Sequence, residues 1–258
     1  MRNLKLTLAY DGHDFAGWQV QPDRLSVQGT LVSAFEHLTG EKTLPQGSGR
    51  TDAGVHALAQ VATVTTNSPI PVDNLVRALN DILPRSIRVL AAEEMPPEFH
   101  ARRSAIAKTY RYHIYRGAIC SPFQARYVYH HPYPLDESRM IQAAALVEGE
   151  HDFTSFAAVD PERNKDRGKD SSKESTEINN VRTIFLSQWQ RHGDELIYTV
   201  RGNGFLHHMV RNLVGTFLMV GKGSLSVADV RRILELRDRS AAAATAPASG
   251  LFLVSVEY

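Results

Sequence analysis

The sequence predicts an α+β protein made of two related ferredoxin-like α/β halves, with mainly antiparallel sheets meeting at a central cleft. Segments of strand periodicity alternate with pairs of helical segments in both halves of the chain. Ser26, Gly40, Pro71 and Pro84 fall at the ends of the first two helical segments, where caps and breakers belong. At 258 residues and 43% hydrophobic content, the chain can bury one large core or two small ones.

The first strand is read over 4–10, where Leu4, Leu6, Leu8 and Tyr10 alternate with Lys5 and Thr7. After the Gly- and Pro-containing segment 11–24, Ser26 is placed to cap a helix. Its apolar residues Val27, Leu31, Phe35 and Leu38 recur at helical spacing, and Gly40 stops it. A strand is expected over 55–65. Pro71 opens a second helix with Leu75, Val76, Leu79, Ile82 and Leu83 turned inward, Pro84 closes it, and 87–92 reads as a strand. This half has the order β-α-β-α-β.

In the second half, the alternation of Tyr110, Tyr112 and Ile114 marks a strand over 107–116, followed by a helix over 137–147. Strands over 181–190 and 195–201 precede a long apolar helix over 205–220, a shorter one over 227–237 and a last strand over 251–258. The boundary falls near 99–107, which gives an N-terminal half over 1–104 and a C-terminal half over 105–258. Residues 160–177 are dense in charge and serine with hardly an apolar side chain, so they are expected to form a mobile insertion. The alanine-rich stretch 241–248, with Pro247 in it and Gly250 after it, reads as a turn into the last strand rather than a tail.

A net charge of +1 conceals an uneven distribution. Residues 99–135 contain no Asp or Glu, yet carry Arg102, Arg103, Lys108, Arg111, Arg116 and Arg126 among Tyr110, Tyr112 and Tyr115. A second acid-free stretch, 196–228, carries Arg201, Arg211 and Lys222 with His207 and His208. Cations interleaved with aromatic rings suit phosphate neutralisation and base stacking, although a solvated basic strand reads the same way segment by segment. The single cysteine, Cys120, excludes an intramolecular disulfide and a cysteine-based zinc site within one chain. No secretory core follows Met1 and no apolar run is long enough to span a bilayer, so the expected compartment is the cytosol.

The chemistry concentrates in Gly49-Arg50-Thr51-Asp52-Ala53-Gly54-Val55-His56-Ala57. Glycines bracket the turn, and in locally extended backbone Arg50 and Asp52 share a face, so a guanidinium beside Asp52 favours the ionised state a nucleophile or general base needs. A turn-capping aspartate is the plainer reading of those nine residues alone. His207 and His208 do not suggest a metal site, since adjacent helical residues point about 100° apart and no acidic or cysteine partner is near in sequence.

Four blocks together carry a family likeness: Leu8-Ala9-Tyr10-Asp11-Gly12 with Phe15-Ala16-Gly17-Trp18-Gln19; the Asp52 block; Lys108-Thr109-Tyr110-Arg111-Tyr112; and the run from Gly202 to Asn212. Gly250-Leu251-Phe252-Leu253-Val254 follows in the same style. The chain resembles the tRNA pseudouridine synthase A family over nearly its whole length. The resemblance implies an isomerase that converts uridine to pseudouridine at positions 38, 39 and 40 of the tRNA anticodon stem and loop, as a homodimer, without metal or organic cofactor. It implies that Asp52 is the catalytic aspartate, whether by attacking the sugar C1′, attacking the base or removing a sugar proton. Tyr110 corresponds to the tyrosine that stacks on the target base, Arg211 to the basic partner of the aspartate, and Leu253 to the apolar residue lining the uracil pocket. Arg50 is assigned to the flipped nucleotide's phosphate or the displaced base, and Arg102, Arg103 and Arg111 to the RNA backbone. Tyr10-Asp11-Gly12 and Gly17-Trp18-Gln19 are expected to fix a loop near the substrate. A non-catalytic RNA-binding module explains the basic tyrosine strand but not Arg50-Thr51-Asp52, and a nucleotide hydrolase would need more carboxylates or a metal site.

Overall fold

The computed structural model describes residues 1–159 and 179–258. The insertion expected at 160–177 lies outside the described residues. The chain is a mixed α+β protein whose strand pairing is mostly antiparallel. It divides into two units, the first made of residues 1–132, 191–197 and 247–258, the second of 133–190 and 198–246.

In the first unit β1 (Arg2–Tyr10) buries Leu4, Leu6, Leu8 and Tyr10 on one face, as its alternation requires. It pairs antiparallel with β3 (His56–Thr66) on one side and β4 (Ile87–Met95) on the other. β10 (Leu251–Glu257) lies between β3 and β5 (Ala107–Tyr115), parallel to the former and antiparallel to the latter. The strand order is therefore β4-β1-β3-β10-β5. Two short strands had no sequence signal because two residues carry no periodicity: β2 (Gln46–Gly47) on β3, and β6 (Tyr129–His130) parallel to β5.

Helix α1 (Val27–Thr39) begins where expected, with the Ser26 hydroxyl accepting the Gly29 amide at 3.2 Å, and ends on Gly40 in the left-handed region at φ 70°. Helix α2 (Val72–Ile82) packs against β4, where its Asn80 side chain both donates to and accepts from the Val89 backbone at 2.8 and 2.9 Å. One inward residue is corrected. Ile82 is 40% exposed, because the helix ends there and the extended Leu83 takes the buried place.

The second unit holds most of a strand order β9-β8-β7, formed by β7 (Gly149–Asp152), β8 (Val181–His192) and β9 (Glu195–Gly202), of which residues 191–197 belong to the first unit. Helix α3 (Glu137–Ala145) packs on α4 (Met209–Gly221) and α5 (Val227–Leu236). Asp136 caps α3, and Ser226 with Asp229 forms a reciprocal capping box on α5. Helix α4 starts at Met209, not at 205 as its apolar run suggested. His208 sits at φ 59°, a conformation that cannot continue a right-handed helix, so 205–208 stays outside α4, with a turn at 207–208.

The alanine-rich stretch has a fixed course. Arg239 reaches the Ala242 and Ala243 carbonyls at 3.2 and 3.1 Å and the Asn212 side-chain oxygen at 3.0 Å. Fully buried Asn212 also accepts from the Thr245 hydroxyl at 2.7 Å and donates to the Phe156 carbonyl at 2.7 Å. Gly215 lets α4 meet this segment, since a Cβ there would lie 2.0 Å from the Ala244 carbonyl oxygen.

Candidate active site

The loop carrying Asp52 is held by a buried polar network rather than by regular structure. Ser48 donates its amide to the Val61 carbonyl at 2.7 Å and its hydroxyl to the Gln60 side-chain oxygen at 2.6 Å. The Gln60 amide group donates to the Gly49 carbonyl at 3.0 Å and to the Tyr10 hydroxyl at 3.4 Å, and that hydroxyl meets Thr51 Oγ1 at 2.8 Å. Ser48, Thr51, Tyr10 and Gln60 are all buried, so each bond satisfies a group that would otherwise be costly. Lys108 Nζ on β5 donates to the Ser48 carbonyl at 2.5 Å.

The loop's other side rests on residues 12–18. Trp18 donates its amide to the Thr51 carbonyl at 3.0 Å, and Gly54 donates its amide to the Phe15 carbonyl at 3.3 Å. Gly17 sits at φ 99°, and a Cβ there would lie 2.6 Å from the Thr51 carbonyl oxygen, so only glycine allows this approach. These contacts buttress the loop, the role expected for Gly17-Trp18-Gln19. Arg50 is exposed, Thr51 is buried and Asp52 is half-buried, the alternation of extended backbone.

Tyr10, Ala57, Leu253 and Tyr110 form one cross-strand row over β1, β3, β10 and β5. The structure thus places Tyr110 beside Leu253, the first 7% exposed and the second fully buried. Burial pushes the Tyr110 phenol far above its ordinary pKa, with the Tyr10 and Asp52 charges adding to the effect. Burial raises the Tyr10 phenol to about 12 despite opposing hydrogen bonds from Thr51 and Gln60. Both hydroxyls are therefore protonated at neutral pH.

Arg102 and Arg103 are exposed on a turn whose amides both approach His100 Nδ1, at 3.0 and 3.4 Å. With Arg50 they line one depression, which Arg111, exposed on β5, does not line. In the second unit Arg211 lies in the first turn of α4. It donates Nε to the Ala246 carbonyl at 2.8 Å, and the Ala246 amide returns to the Arg211 carbonyl at 3.1 Å. His207 and His208 precede α4, and their ring centroids are 4.0 Å apart. This corrects the reading that helical spacing separates them.

A family model described as tRNA pseudouridine synthase matches residues 7–102 and 143–258. The chain belongs to that family. It is 52% identical to the tRNA pseudouridine synthase A of Solibacter usitatus, and the alignment covers 100% of both chains. Identity to the protein of the same name from Brevibacillus brevis is 45%, again with 100% of each chain covered. With that from Moorella thermoacetica it is 44% over 99% of each. Asp52, Arg50, Arg102, Arg211 and Leu253 fall within the matched spans of the family, whereas Tyr110, Arg103 and Arg111 lie between them.

Two residues of the site had no role from sequence. Gln60 is a buried amide within the otherwise apolar run 57–62 of β3, which is itself the signal that could have found it. His56, quoted in the motif without a task, is 1% exposed and accepts the Gly12 amide on Nδ1 at 3.1 Å. Its neutral tautomer then carries hydrogen on Nε2, which donates to the Arg126 carbonyl at 3.1 Å. The ring stacks on Phe252 with centroids 4.7 Å apart. Burial lowers its pKa below the usual imidazole value, against the pull of Asp11.

Proposed function

We propose that this chain converts uridine to pseudouridine at positions 38, 39 and 40 of the tRNA anticodon stem and loop, with Asp52 as the catalytic aspartate. Family membership gives the reaction class, an isomerisation of uridine in tRNA. The observation that best supports the assignment of Asp52 is its loop: the backbone is pinned on both sides, while the carboxylate stays half-exposed within electrostatic reach of the buried Tyr110 phenol.

The reaction breaks the bond from base N1 to sugar C1′, turns the uracil and joins C5 to C1′. N1 gains a proton, C5 loses one, and no atom is added overall. In this reading Asp52 supplies the one carboxylate, and Tyr110 stacks on the base, an interaction worth ~1–3 kcal/mol. Leu253 lines the uracil pocket beside the tyrosine, Arg211 balances the aspartate's charge, and Arg50 braces the flipped nucleotide. Arg102, Arg103 and Arg111 contact phosphates. The enzyme works as a cytoplasmic homodimer without metal or organic cofactor, and an anticodon arm spans both subunits. Among the described residues no helix is long and apolar enough to cross a membrane. The related ferredoxin-like halves, divided near residue 104, belong to the same proposal. A purely RNA-binding role leaves the network beneath Asp52 without a purpose.

The test is tritium release from tRNA carrying [5-³H]uridine, since forming the new bond at C5 expels that hydrogen. Wild-type protein should release it. Asp52→Asn should keep tRNA affinity and thermal stability but lose release, and activity within about tenfold of wild type would overturn the assignment.

A further inference from the structure

The depression beside the Asp52 loop has a volume of about 370 Å³, within the range of small-ligand sites. Among the described residues its lining contains no carboxylate. Arg50, Arg102 and Arg103 line it together with His100. Burial, with the neighbouring arginine charges, lowers the pKa of that imidazole. Because His100 Nδ1 is the acceptor for the Arg102 amide, its neutral ring presents an Nε2–H donor. Such a set takes an anion, and planar guanidinium forks fit phosphate in particular.

The rest of the lining suits more than a phosphate. Trp18, 1% exposed, forms an aromatic wall held against Gly47, where a Cβ would lie 2.6 Å from the indole. Gln19 and Gln46 add side-chain amides that both donate and accept, the type of group that reads a base edge. Gly49 and Arg50 are shared with the catalytic loop, yet Asp52, Tyr110 and Leu253 do not line the depression. Its lining thus adjoins the catalytic loop without including those three residues.

We propose that this depression is a second nucleotide site, which holds one nucleotide of the RNA strand other than the target uridine: its phosphate on Arg102 and Arg103, its base against the glutamine amides, with Arg50 left to the flipped nucleotide. The inference rests on the tRNA-modifying reading. It adds to the reacting loop a neighbouring contact that sets the register of the strand. A neighbouring nucleotide seated there fixes how far along the strand the target lies from Asp52.

The experiment titrates wild-type protein with each of the four nucleoside monophosphates and with inorganic phosphate, following backbone and side-chain NMR shifts. The expected result is shifts at the Trp18 indole N–H, the Gln19 side-chain amide, Gly47 and Gly49, with one or two bases preferred. Gln19→Ala with Gln46→Ala should weaken nucleotide binding by about fivefold and leave inorganic phosphate binding alone, whereas Arg102→Ala with Arg103→Ala should weaken both. In the tritium assay the glutamine pair should raise the KM for tRNA. Equal binding of phosphate and nucleotides, indifferent to the glutamines, would reduce the site to a backbone contact and overturn the proposal; so would no shift at these residues. If wild-type protein released no tritium, the proposed function would fail while nucleotide binding here was still observed. If release depended on Asp52 but no nucleotide bound, only the second site would fail.

Discussion

Two irregular stretches of this chain, the Asp52 loop and the alanine-rich segment 239–246, are each fixed by side-chain hydrogen bonds, but to opposite ends. Around Asp52 the loop's own polar side chains enter the network, and Asp52 itself stays half-buried above it. In the alanine-rich segment its own Arg239 and Thr245 meet Asn212 of α4, and what is held is mainly backbone, including the Ala246 carbonyl on which Arg211 rests. Damage to the first network should register in turnover. Damage to the second should register in stability.

The largest stability loss is expected at the contact between α4 and the alanine segment. Gly215→Val puts a branched side chain where a single Cβ already meets the Ala244 carbonyl, and should cost about 3–4 kcal/mol, lowering Tm by roughly 10 °C. Differential scanning calorimetry measures this, and an unchanged Tm would show that the helix and segment yield freely. Asn212→Leu strands the Phe156 carbonyl and removes a partner from Arg239 and Thr245, for a loss of about 3 kcal/mol in urea denaturation. Turnover of its folded fraction should fall less than in the next variant, and the comparison breaks if it does not.

Gln60→Leu removes the bonds to Gly49, Ser48 and Tyr10, and should cost about 2 kcal/mol while lowering kcat by more than that stability loss accounts for. Thr51→Val, which deletes one hydroxyl contact to Tyr10, sharpens the point with a loss of about 1 kcal/mol and a smaller drop in kcat. The least effect is expected from pH. His56 has a folded pKa below its unfolded value, so as pH falls through the ordinary imidazole value the unfolded chain takes up the proton first. Stability present above that value is lost progressively until the folded pKa is passed. His56→Gln should flatten this stretch of the stability–pH curve, and a curve unchanged by the substitution would remove His56 from the account.

Much of this was legible in the sequence. Apolar alternation and caps located β1, α1, β4 and β5, because each carries several periods of one pattern. The Asp52 loop was legible because its residues are polar and closely spaced. Where one pattern admits two geometries, reading failed: Phe205 and Leu206 continue the apolar run of α4, yet His208 in the left-handed region excludes them from the helix. Ile82 has the right spacing but sits on the last helical residue, where the chain turns away. The support of the alanine segment was hidden because Asn212, Gly215 and Thr216 look like interruptions in an apolar helix until their partners, some thirty residues on, are in place. Gln60, likewise, means little until Tyr10 and Ser48 are beside it.

The position of β10 also constrains biosynthesis. Its pairing of Phe252 with His56 joins residues from nearly opposite ends of the sequence, and it supplies Leu253 to the row that holds Tyr110. During translation β3 and β5 emerge with a gap between them that no earlier segment fills. Loop-closure entropy must then be met by a single late strand. A ribosome that stalls before residues 251–257 releases a chain without a finished sheet and without the assembled row, so a prematurely terminated product is open to proteolysis and lacks the arrangement the reaction needs.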